Sequence, residues 1–192
     1  MVAEALPYNG PRPPMRRPAP GEYAPFYETY VGKVPAEVDV LELLASDHAR
    51  SEALLRQADD ETFRYAEGKW SVREVVGHLI DAERVFSFRA AQFARGDATD
   101  LPGMDQEVWA SGSNAHDRPL SELLAEWSAV RRATLALFQG LPEEAWDRRG
   151  VASGAEVTVR ALAAIILGHE RHHRQILCQR YLCAPEGSAS AP

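Results

Sequence analysis

Cysteine is nearly absent from this chain of 192 residues: only Cys178 and Cys183 carry a thiol, too few for a disulfide framework. Five positions apart on a helix, the two point in different directions and would not pair without unwinding it, so a reducing, cytoplasmic setting is expected. Long apolar runs are missing as well. The most apolar stretch, 161–167, is far too short to span a bilayer, and the N-terminus shows no basic region followed by an apolar one, so neither a membrane span nor a signal peptide is expected. A surplus of positive charge is also lacking, with 21 Lys plus Arg against 28 Asp plus Glu and a net charge of −7. That balance offers no footprint for a polyanion and speaks against a nucleic-acid partner. There is no strand pattern, internal repeat, Gly-rich phosphate loop or recognisable serine or cysteine triad. Cys178 lies off the histidine stripe described below and is a poor nucleophile candidate.

What is present reads as one all-α domain, long enough to bury its own core. Six prolines among the first twenty residues (Pro7, Pro11, Pro13, Pro14, Pro18, Pro20) rule out a helix there and mark residues 1–29 as an extended arm. The rings of Tyr23, Phe26, Tyr27 and Tyr30 are expected to pack on the outside of the domain and tie the arm down. Helical periodicity then predicts four segments, at 35–57, 71–94, 119–138 and 158–181, within a domain of residues 30–183, followed by a flexible tail at 184–192. Ser71 with Glu74 three residues on forms a capping box for the second helix. The connection 95–118 is long for bundle neighbours and punctuated by Gly, Pro, Asp and Asn. A crossover there would let the second and fourth helices become neighbours. The connection 140–157 carries a short helical turn near Leu141–Trp146.

The chemistry concentrates in histidines. Val159, Leu162, Ile166, His169, His173 and Ile176 recur at steps of three and four, so the apolar stripe of the last helix has two imidazoles set into it one turn apart. A lone buried histidine is more often a hydrogen-bonded core residue than a ligand. Two on one stripe weaken that alternative. His78, two turns into the second helix and bordered by Val75, Ala82 and Val85, can add a third imidazole from a second helix and leave a coordination position open. His172, turned about 100° from His173, belongs at the boundary. His48 reads as a satisfied core or rim residue and His116 as a solvent-exposed loop residue.

The run Lys69-Trp70-Ser71 through Gly77-His78-Leu79-Ile80-Asp81-Ala82-Glu83-Arg84, the segment from Gly96 to Gln106, and Gly168-His169-Glu170-Arg171-His172-His173 together resemble the DinB-like superfamily, also called the YfiT-like metal-dependent hydrolases. The resemblance extends over about residues 30–182. It implies a four-helix bundle with long crossover loops, holding a divalent cation, usually zinc or nickel, through one histidine of the second helix and an H-x-x-x-H pair of the fourth. Carried onto this chain, those ligands are His78, His169 and His173. The resemblance further implies either hydrolysis or transfer involving a low-molecular-weight thiol.

Around that site, Asp81, Glu83 and Glu170 are the nearest carboxylates in sequence, able either to orient a ligand histidine or to pair with Arg73, Arg84 or Arg174. Trp70, Trp127 and Trp146 read as packing residues, and Trp109, Met104 and Asp105 as cleft walls. A metal-dependent enzyme acting on a small-molecule substrate is the expectation, with no nucleic acid and no membrane as partners and a homodimer left open. Its rival is a non-catalytic, stress-associated metal-binding protein.

Overall fold

The computed structural model describes residues 14–182, so most of the Pro-rich stretch, Cys183 and the C-terminal tail lie outside the described residues. Four long helices form the bundle: α2 (Val40–Leu55), α3 (Val72–Ala94), α5 (Leu120–Gln139) and α6 (Val159–Leu177). Two short ones join them: α1 (Glu28–Val31) precedes α2 in sequence, and α4 (Gln106–Gly112) lies between α3 and α5. Caps set the starts. The Ser71 hydroxyl accepts from the Glu74 amide while the Glu74 carboxylate accepts from the Ser71 amide at 2.7 Å, completing the predicted box. Asp39 caps α2 by accepting from the Leu41 amide, which moves that start from residue 35 to Val40. Past Leu177 the chain continues as a π-helical turn, Cys178–Leu182.

The packing order corrects one expectation. Helix α3 packs against α5 and α6, and α2 against α6 and α5, so the two helices consecutive in sequence, α2 and α3, face each other diagonally, as do α5 and α6. Long crossovers are present, but they are the segments 56–71 and 140–158. The connection 95–119 joins adjacent helices. Its length goes instead into α4 and the 3-10 turn Ala115–Asp117, which cover the α3 side of the bundle.

The second crossover holds a β-hairpin that the sequence reading lacked. Strands β1 (Arg149–Ala152) and β2 (Ala155–Thr158) pair antiparallel through a two-residue loop, Ser153 at φ 55° and Gly154 at φ 76°. Both loop residues are left-handed, as the tight hairpin turn that suits strand twist demands. The signal was there: β-branched Val151, Val157 and Thr158 flank a Ser-Gly pair. Leu101 bridges to Ala152, tying the 95–119 connection to this hairpin.

Two apolar clusters fill the bundle. One includes Leu44, Ala82, Phe93, Phe138 and Leu167, the other Leu55, Ile80, Trp127 and Leu177. Along every long helix a polar group sits where one cluster gives way to the other: Asp47, His48 and Ser51 on α2, Glu83 on α3, Arg131 on α5, His169 and Glu170 on α6, all buried. Among the described residues no helix is long and apolar enough to cross a membrane.

Met15, Tyr23 and Tyr27 belong to the first apolar cluster. Only Phe26 of the aromatic quartet lies largely outside, at 55% exposure, so the N-terminal rings form part of the core rather than a cover upon it.

Candidate metal centre

Because α3 and α6 are neighbours, His78 meets the α6 pair directly. The Nε2 atoms of His78 and His169 are 3.0 Å apart, and one ring nitrogen from each of His78, His169 and His173 falls within 4.8 Å of the others. Two nitrogens bound to one zinc ion at 2.0–2.1 Å in tetrahedral geometry stand about 3.3 Å apart, inside that range. His78 and His169 are each 5% exposed, and His173 is partly buried.

Burial without a counter-charge holds the rings neutral. Desolvation pushes the His78 imidazole down to about 4. His169 and His173 are driven well below the ordinary histidine value, by burial first and then by the repulsion of neighbouring histidines. Three neutral imidazoles thus bring one ring nitrogen each within 4.8 Å of the others, a donor set that suits a divalent cation of borderline softness.

Local packing fixes these rings. Residue 168 must be glycine, because a Cβ there would lie 2.0 Å from the Tyr30 carbonyl oxygen, and this close approach brings α1 onto α6 beside His169. The Tyr30 ring stands edge-on to His169 at 5.0 Å and to His172 at 5.5 Å. Trp70, expected only to pack, lies 4.8 Å from the His78 ring and donates its Nε1–H to Glu107 of α4 at 3.2 Å. It thereby joins the 95–119 connection to the histidine cluster.

The carboxylates do something other than orient histidines. Arg131, at 2% exposure, donates from Nε and Nη2 to both oxygens of Glu83 at 2.7 and 2.8 Å, and from Nη1 to Glu170 at 2.8 Å and to the Leu44 carbonyl at 2.6 Å. Trp127 and Ser51 donate to the remaining lone pairs of Glu83 and Glu170 at 3.0 and 2.6 Å. Burial pushes the Glu83 carboxyl up, but the Arg131 guanidinium outweighs it and keeps Glu83 ionised. Asp81 is partly buried and pairs with Arg84 at 3.5 Å, and its burial raises the carboxyl above the ordinary value. Arg131 occupies an apolar-stripe position of α5, four residues after Trp127 and four before Leu135, the one signal in the sequence that this charge is buried.

Two other histidines depart from expectation. His48 bonds Ser128 through Nε2 at 3.0 Å, but its buried Nδ1 has no partner among the described residues, so there it is only half satisfied. His116 is not a free loop residue: its Nδ1 lies 3.0 Å from the Ser71 hydroxyl, and its carbonyl accepts from Arg73. It pins the 95–119 connection to the start of α3.

A cavity of about 300 Å³ opens against His78 and His169, walled by Tyr27, Tyr30, Met104 and Gln106. A second, of about 200 Å³, reaches His173 between Trp70, Gln106 and Tyr181. Gln106 lines both, whereas Asp105 turns back to cap α4 by accepting from the Glu107 and Val108 amides. Met104 is a wall residue as expected; Trp109 lines an adjoining groove rather than the histidine cavity.

A bundle with diagonal consecutive helices and an inward-facing histidine triad from two of them defines a class of small helical proteins. Comparison with known sequences gives that class its family. Residues 62–177 match the DinB superfamily, and the chain belongs to it. A protein of Oceanobacillus iheyensis named "Putative metal-dependent hydrolase" is 26% identical over 110 residues, covering 57% of this chain and 63% of that protein. A protein of the same name from Geobacillus thermodenitrificans is 29% identical over 113 residues, covering 57% and 62%. Thus the chain spans a little over three fifths of the length of these relatives. A Bacillus licheniformis relative is matched more fully, at 26% identity over 155 residues and 87% of its length. Among solved structures, YfiT from Bacillus subtilis, described as "a probable metal-dependent hydrolase with an unusual four-helix bundle topology", superposes with a TM-score of 0.66 at 20% identity, covering 77% of this chain and 92% of that one. At that identity the likeness shows the fold.

Proposed function

We propose that His78, His169 and His173 hold a divalent cation, zinc or nickel, and that the protein is a metal-dependent enzyme acting on a small molecule. The convergence of three neutral imidazoles, His78 and His169 at the wall of one open cavity and His173 at the wall of another, carries this reading. The names of the relatives agree with it. A purely structural ion has a closed coordination sphere, whereas here three protein donors stand beside space for a substrate.

A cation so held supplies a nucleophile at neutral pH by acidifying a coordinated water or thiol. The chain's own residues do the rest. Arg131 clamps Glu83 of α3 to Glu170 of α6 and so holds the histidine-bearing helices at a fixed spacing. Trp70 and Tyr30 flank the imidazoles and limit water around them. Gln106 offers a neutral amide to a bound substrate from the lining of both cavities.

Hydrolysis is the first reading. Transfer of a low-molecular-weight thiol is the second, and one observation favours it: Glu83 and Glu170 are engaged by Arg131 and Asp81 by Arg84, so none of these three carboxylates stands ready as a general base. A thiol deprotonated by coordination needs no base. Metal analysis of untagged protein, followed by ester hydrolysis and thiol-transfer assays before and after chelation, tests both. Metal near one equivalent and turnover lost on chelation are expected. Metal-dependent stability with no turnover on either panel would replace the enzyme with a metal-binding protein.

A further inference from the structure

Eleven residues beyond His78, three helical turns along the same face of α3, stands a cation that the histidine cluster does not use. Arg89 is 3% exposed and lines the histidine cavity. Its Nη2 donates to the Pro102 carbonyl at 2.8 Å and to the Ser153 hydroxyl at 3.1 Å, and it lies within hydrogen-bonding reach of the Tyr27 phenol. All three are neutral partners. Among the described residues no carboxylate pairs with it, in contrast to Arg131, which is equally buried and has two. A guanidinium stays charged, and burying one without an anion is costly. The missing counter-charge has an open cavity through which to arrive.

An apolar groove of about 330 Å³ adjoins the same residue, walled by Phe88, Leu101 and Trp109. Phe88 and Trp109 are 59% and 45% exposed, unusual for rings this large. Val85, Arg89 and Met104 line both spaces, so groove and histidine cavity adjoin one another at the guanidinium.

We propose that the substrate of this centre is an amphipathic carboxylate: its carboxylate docks on Arg89, its apolar part lies in the Phe88–Trp109 groove, and its reacting group reaches the three histidines. One guanidinium among neutral groups matches one negative charge, which favours a carboxylate over a phosphate dianion. The assignment of the reacting end rests on the metal-centre reading above; the docking of the carboxylate does not need the cation.

The test measures binding of 4-phenylbutyrate and its neutral amide to metal-free and zinc-loaded protein by calorimetry or ligand-observed NMR. Metal-free wild type should bind the carboxylate at least tenfold more tightly than the amide. Arg89→Gln should abolish that preference, Arg89→Lys should keep part of it, and Phe88→Ala should weaken both probes alike. Because Phe88 is exposed, its variant tests the groove even if the Arg89 variants fail to fold. Equal binding of the two probes to wild type, or a preference that survives Arg89→Gln, overturns the proposal. A preference seen only with zinc and retained in Arg89→Gln places the carboxylate on the cation, overturning the role of Arg89 while sparing the metal reading. Loss of metal binding with the preference intact does the reverse.

Discussion

Replacing Arg131 by Met would leave a side chain of similar length and remove the cation that bonds Glu83. Four hydrogen bonds disappear, two to Glu83 and one each to Glu170 and the Leu44 carbonyl. The larger effect is electrostatic. Glu83 and Glu170 are 3% and 1% exposed, and without the guanidinium two carboxylates must either stay ionised in the core or take up protons. Breaking such a buried ion set by deleting one member costs about 3–5 kcal/mol, against a total stability of about 5–15 kcal/mol for a domain. With m on the order of 2–3 kcal/mol/M for urea, the unfolding midpoint should drop by about 1–2.5 M, read by far-ultraviolet circular dichroism. The reasoning separates the worth of the cluster from the penalty of orphaning its parts. The triple variant Arg131→Met, Glu83→Gln, Glu170→Gln carries no buried charge at these positions, and its amide oxygens can still accept from Trp127 and Ser51. It should recover at least half of the loss. A single variant that loses less than about 1 kcal/mol, or a triple variant no more stable than the single, would refute the account of Arg131 as the clamp between α3 and α6.

Three further outcomes follow from the centre. His173→Ala should lower zinc affinity more than about 100-fold in a competition titration, and His172→Ala less than about 10-fold, since only His173 joins the cluster; equal losses would mean the wrong nitrogens were assigned. Stability of the metal-free protein should fall as pH drops from about 6.5 towards 4, because the folded His78 resists a proton that the unfolded chain accepts; the folded value of about 4 makes its share on the order of 3 kcal/mol, and because His169 and His173 add to the fall, His78→Gln should shrink the pH dependence in urea titrations without removing it. Gly168→Ala would drive a Cβ to 2.0 Å from the Tyr30 carbonyl, a backbone atom that cannot swing aside, and should lower stability by about 2 kcal/mol and Tm by about 4–8 °C; an unchanged Tm would show that α1 does not press on α6 as described.

The sequence by itself determined the helices and the composition of the triad. Periodicity, the Ser71–Glu74 box and the spacing of His169 and His173 are local properties, written within a turn or two of chain, and they placed α3, α5 and α6 to within a few residues. Which helices would touch was not local. The diagonal placement of α2 and α3 moved the crossovers to 56–71 and 140–158 and made α3 the neighbour of α6, the condition for His78 to reach the pair. Tertiary structure alone brought Tyr30 to His169, Trp70 to His78, and Arg131 between two carboxylates, because each of those contacts joins segments far apart in the chain. A buried charge reveals its purpose only through the partner that neutralises it: Arg131 has that partner within the fold, while Arg89 meets only neutral groups among the described residues and faces the cavity.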